Sequence, residues 1–115
     1  MDNDLTSKPK GISADQVMNV IDLVGYQAGA IVSREIVKAP TGTITLFSFD
    51  EGQGLSEHKT PFDALVQVLE GEVEVSIEGK PHHVKSGEII LMPAQKLHAL
   101  KALKRFKMIL TMLRS

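Results

Sequence analysis

Apolar and polar residues alternate along most of this chain with a period of two, and a helical period is nearly absent. EVEVSIE sets Val73, Val75 and Ile77 on one face and Glu72, Glu74, Ser76 and Glu78 on the other, the pattern of a strand with one side in water. RFKMILTML alternates Phe106, Met108, Leu110 and Met112 with Lys107, Ile109, Thr111 and Leu113. AIVSREIV and TITLFSF are rich in β-branched and aromatic residues, and Pro40, Thr41 and Gly42 between them predict a turn. Ala64 to Leu69 is apolar except for Gln67, which predicts a strand covered on both faces. HHVK, EIILM and KLHALKAL complete the set, with turns at Gly79 and Ser86–Gly87 and a stop at Pro93. Near the N-terminus, Ser13 with Gln16 predicts a short capped helical turn towards Leu23, ended by Gly25. Many short strands separated by turn residues predict an all-β sandwich or barrel.

Composition narrows the picture. A chain of 115 residues is read as a tail over residues 1–12 and a single barrel domain over residues 13–115. Without cysteine there are no disulfides, thiolate metal ligands or cysteine nucleophiles, which fits a cytoplasmic protein. The N-terminus, MDNDLTSKPKG, lacks the apolar segment of a signal peptide, and the apolar runs are far shorter than the roughly 20 residues of a membrane-spanning helix. Thirteen basic against fourteen acidic side chains, one Tyr and no Trp argue against nucleic acid and membrane partners.

The candidate chemistry lies between Gly52 and His98, which contains all four histidines. Gly52 is followed by His58 and, after a strand-like run, by Gly71; a second half runs from Gly87 through Pro93 to His98. Two histidines about forty residues apart, each with its own glycine punctuation, suggest two strands brought side by side around a site.

At these positions the chain resembles the two motifs of the cupin superfamily, small barrels of the double-stranded β-helix or jelly-roll type. Gly52, His58 and Gly71 match the first motif, and Gly87, Pro93 and His98 match the second. Two usual metal ligands are replaced: Thr60 stands where the family has a second histidine, and Ala64 where it has glutamate. In the second motif Gln95 replaces a glycine and Ala102 an asparagine.

The resemblance implies a ligand pocket lined by His58, Thr60, Phe62 and His98 together with core methionines. It also implies a divalent transition metal such as Zn, Mn, Fe or Ni, for which His58 and His98 supply two neutral imidazoles. Asp63 is the candidate third ligand; its parity sets it on the opposite face of the strand unless Pro61 distorts the register. Three readings stand: a small-molecule-binding cupin, a metal-dependent oxygenase or isomerase, and a non-catalytic structural or regulatory dimer. His82 and His83 are adjacent and face opposite ways, so both read as surface or packing residues. Met92, Met108 and Met112 read as core, and Lys96, Lys101, Lys104, Arg105 and Lys107 as a solvated edge. Leu65 and Leu69 point outwards from the barrel, which predicts a covering surface; the resemblance implies a homodimer, with AIVSREIV the strand expected to cross over.

Overall fold

The computed structural model of the protein describes residues 11–114. Of the expected N-terminal tail, therefore, all but Gly11 and Ile12 lies outside the described residues. Among the described residues nine strands follow one another: β1 (Ile31–Ala39), β2 (Gly42–Phe49), β3 (Gly54–His58), β4 (Phe62–Glu70), β5 (Glu72–Ile77), β6 (Lys80–Lys85), β7 (Ile89–Met92), β8 (His98–Ala102) and β9 (Phe106–Arg114). They form two antiparallel sheets, one in the order β1-β2-β9-β4-β7 and the other β3-β8-β5-β6. The all-β expectation therefore holds, and the chain crosses between the sheets repeatedly, one crossing falling at Gly71 between β4 and β5.

The alternation read from the sequence decides which faces meet. Ala64, Val66 and Val68 of β4 and Phe106 and Met108 of β9 are buried against Val73, Val75, Leu100 and Ala102 of the other sheet. Phe49 and Phe106 are cross-strand partners and stack with ring centroids 4.6 Å apart. Register aligns two rows across the interior. On the large sheet Ala64 pairs with Met92 on one side and Met112 on the other; on the small sheet His98 lies between His58 and Ile77.

The expected helical turn is displaced. Ser13 and Gln16 are exposed and outside any helix, and a 3-10 turn forms instead at Val20–Leu23, where the Asn19 side chain accepts a hydrogen bond from the Ile21 amide at 3.3 Å. Asn19 thus does the capping assigned to Ser13, since its carbonyl oxygen satisfies a free amide of the first turn.

The segment around this turn covers the part of the large sheet's outer face around Ser48 and Lys107, and that corrects the reading of Lys107. Far from being a solvated edge residue, Lys107 is 7% exposed: its ammonium donates to the Ile21 carbonyl at 2.7 Å, stands 3.9 Å from Glu70 and lies over the Tyr26 ring. The Tyr26 hydroxyl donates to Glu70 Oε2 at 2.6 Å. Burial and then the Glu70 carboxylate push this hydroxyl above its ordinary range, so it remains a donor. Ser48, on the same face, donates to the Gly25 carbonyl at 2.7 Å.

Asp50 fixes the loop that leads into β3. Its carboxylate accepts from the Gly29 amide at 2.7 Å, from Arg105 Nε at 2.9 Å and from the Glu51 amide at 2.9 Å, and these contacts lower its pKa to about 2. AIVSREIV, the strand expected to cross to a partner, pairs as β1 with β2 of its own chain. Leu65 and Leu69 are half-buried, and near Leu65 the outer face also carries Val37, Ile89, Leu91 and Leu113, all exposed. Among the described residues no helix is long and apolar enough to cross a membrane.

Candidate functional site

His58 and His98 are direct cross-strand partners on β3 and β8. The pairing follows a register shift between Leu55 and His58, and such irregularities re-aim side chains near sites. The rings meet edge to face, with centroids 4.4 Å apart and planes at 71°. His58 is exposed, whereas His98 is only 3% exposed.

The two rings differ in their hydrogen bonding. His58 Nδ1 lies 2.7 Å from the Ser56 carbonyl. A carbonyl only accepts, so Nδ1 carries the proton and, in the neutral ring, Nε2 keeps its lone pair. His98 Nδ1 is buried and has no hydrogen-bond partner among the described residues. Burial first, and the neighbouring His58 second, push the His98 pKa below its ordinary 6.5, and the Lys96 backbone opposes the shift.

His98 is therefore neutral at pH 7. As pH falls below 6.5 the unfolded chain takes up a proton here that the folded chain resists, so this residue's contribution to stability is complete above that value and declines towards acid. His58→Ala is expected to raise the His98 pKa while leaving it below 6.5, because burial, the larger cause, remains. Ring resonances followed by NMR through a pH titration check this, and an unchanged or lower pKa would remove His58 as a cause.

Both rings border an interior cavity of about 40 Å³, with Thr60 beside them and Met92, Met108 and Met112 facing them. Leucines and Ala64 complete the walls. That volume admits a few water molecules or an ion, since one water needs roughly 10–15 Å³ on the same measure; organic ligands occupy sites of roughly 300–1,000 Å³. The Thr60 hydroxyl is engaged with the chain, accepting from the Phe62 amide at 3.0 Å and donating to the Phe62 carbonyl at 3.1 Å.

Phe62 does not line this cavity. It borders an adjoining groove of about 360 Å³ with Lys38, Thr43, Met112 and Arg114, and the Arg114 guanidinium lies 5.4 Å from the centre of its ring. Met112 is common to the groove and the cavity.

Asp63 does not join the histidines. Its parity holds: Oδ1 accepts from the Ala94 amide at 2.9 Å, bracing the turn after Pro93, and the residue is not part of the cavity wall. Ala64, at the position of the family's glutamate, offers only a methyl group. Among the described residues no three His, Cys, Asp or Glu are placed to hold a metal ion, so these donors do not fit the divalent centre that the motifs imply. His82 Nδ1 lies 3.2 Å from the Val75 carbonyl and His83 Nε2 lies 2.8 Å from Glu72; both rings are exposed and away from the cavity.

Sequence reasoning set core methionines in the pocket but did not show how they face the histidines. Their alternation marked them as core, but their place opposite the histidines depends on β9 and β7 flanking β4, an order that no local signal encodes.

The chain matches the family model described as "Cupin domain" over residues 45–113. Among solved structures it is similar to a conserved protein of unknown function from Streptococcus pyogenes, 33% identical with a TM-score of 0.87, covering 92% of this chain and 93% of that one. It is also similar to a cupin 2 conserved barrel domain protein from Leptotrichia buccalis, 42% identical with a TM-score of 0.82. That match covers 84% of this chain and 47% of the other, so this chain spans about half of that protein's length. A cupin superfamily protein from Desulfitobacterium hafniense, 24% identical with a TM-score of 0.85 over 92% of this chain and 97% of that one, shares the fold. No curated protein matches the chain.

Proposed function

The chain belongs to the cupin domain family, and on that footing we propose that it binds a small molecule at the mouth of the barrel, in the Phe62 groove, with a polar group of the ligand directed to His58. The observation that carries this reading is that the groove and the histidine cavity are neighbours, with Met112 lining both. Methionine is unbranched and adaptable, so its rotation would open the groove towards the cavity at small cost. Among the described residues the groove's wall contains two cations, Lys38 and Arg114, and no carboxylate, which favours a ligand with an anionic end. Behind it, exposed His58 offers a lone pair to a donor, and His98 supports it from the interior.

A thermal-shift screen of small organic acids tests the proposal. A true ligand at a hundred times its dissociation constant stabilises by about 2.7 kcal/mol, a shift of several degrees. The shift is expected to fall by half or more in Arg114→Ala and in His58→Ala. A shift undiminished in both variants would place the ligand elsewhere.

The apolar outer face supports a homodimer as part of the same proposal. Ile89, Leu91 and Leu113 are each more than half exposed on the large sheet, and a contiguous apolar patch on a soluble protein marks a contact surface. Leu91→Lys is expected to turn a dimer into a monomer by analytical ultracentrifugation without unfolding it. A wild-type protein that sediments as a monomer at all concentrations would refute the dimer.

A further inference from the structure

We propose that the inner cavity binds a soft monovalent cation, Cu(I), held by His58 and His98 from one sheet and by the thioethers of Met92 and Met112 from the other. This goes beyond the ligand reading above, because it concerns the interior of the barrel and not the groove at its mouth.

The first ground is the register. Met92 and Met112 are the two cross-strand neighbours of Ala64, so they flank the position that a carboxylate ligand would occupy. His58 and His98 are cross-strand neighbours on the facing sheet, and all four side chains border the same cavity of about 40 Å³. Packed sheets lie roughly 10 Å apart, a gap that a methionine and a histidine reaching towards each other span. The cavity is too small for an organic ligand and large enough for one ion.

Charge and softness select the ion. Among the described residues the cavity offers imidazole and thioether donors, with Met108 as a third thioether beside Met92 and Met112, and no carboxylate borders it. The cost of burying an uncompensated ion rises with the square of its charge, so a divalent cation meets about four times the penalty of a monovalent one at equal size. Thioethers are soft donors that favour Cu(I), and imidazole accepts the same ion.

The histidines are prepared for such a role. The Ser56 carbonyl holds the His58 Nδ1 proton, with 2.7 Å between the heavy atoms, which orients the ring and leaves Nε2 as a donor atom. His98 is buried, and its Nδ1 has no partner among the described residues, a group that costs stability until something takes it up.

Anaerobic titration of the full chain with Cu(I), in competition with a chromophoric Cu(I) chelator, tests the site, with Zn(II) titrated in parallel. X-ray absorption on the Cu(I)-loaded protein reads the donor atoms. Wild type is expected to take one equivalent of Cu(I) with sulfur in its first coordination sphere. Met92→Leu and Met112→Leu conserve side-chain volume, and each is expected to weaken Cu(I) at least tenfold while keeping the wild-type melting temperature. Zn(II) is expected to bind at least a hundredfold more weakly than Cu(I) and to be indifferent to both changes. Cu(I) affinity equal to wild type in both leucine variants, a first sphere of nitrogen and oxygen alone, or Zn(II) binding as tight as Cu(I) would each overturn the proposal. The ligand screen is unaffected by that outcome, since its diagnostic Arg114 variant leaves all four donors in place.

Discussion

Gly71→Ala is expected to leave little folded protein. Gly71 has φ +81, and a Cβ there would overlap the Arg105 carbonyl oxygen and stand 2.7 Å from Phe106 Cα. These are backbone atoms at the start of β9, which cannot move without unzipping its pairs with β2 and β4. The expected loss is about 4 kcal/mol or more, combining left-handed strain with a collision that has no soft partner. Gly79 supplies the control: its φ is also +81, but nothing lies within 4 Å of where its Cβ would stand, so Gly79→Ala should cost only the conformational strain of about 1–2 kcal/mol. Urea denaturation of both variants measures the contrast, and equal costs would refute the steric account.

Phe106→Ala is expected to cost about 3–5 kcal/mol, the range for deleting a large buried aromatic ring. Phe106 and Phe49 are both 0% exposed and stack on one another, and Phe47 lies 6.0 Å from Phe49. Phe47 is the cross-strand partner of Met108, which borders the histidine cavity. The ring stack is thus the wall behind the site, and removing it gives Met108 space to retreat. A melting temperature lowered by roughly 10–20 °C is the expected sign; a fall of only a few degrees would mean that the neighbouring rings close the gap.

Much of this fold is legible in the residues because a strand's period of two and its punctuating glycines are local signals. The alternation in EVEVSIE and RFKMILTML marks which side chains enter the core, and Val73, Val75, Phe106 and Met108 are all fully buried there. The same parity argument sets Asp63 away from the histidines, and the Ala94 amide accounts for its carboxylate. Spacing of glycine, histidine and proline predicts that His58 and His98 are neighbours, which they are.

What is not legible depends on partners distant in sequence. Lys107 looks like any strand-edge cation until the segment around Tyr26 folds over it. Ser13 offers a better capping pattern than Asn19, but the chain places its helical turn where Ile21 meets Lys107, so tertiary contact overrides local preference. Phe62 shares the inward parity of Ala64, yet it stands one step nearer the barrel mouth and borders the groove with Arg114. That distinction is one of depth, which alternation does not report.

The order of strands in the large sheet also bears on how the chain is made. β9, over residues 106–114, lies between β2 and β4, so the sheet's central seam is supplied last. While a ribosome is still synthesising that segment, β1 and β2 can form a hairpin, but β2 and β4 each present an open edge and an apolar inner face. At about 5–20 residues per second the interval between completion of β4 and arrival of β9 lasts a few seconds. The barrel is therefore closed after its strands are translated, and those seconds are the period in which the nascent chain is most open to mispairing with another.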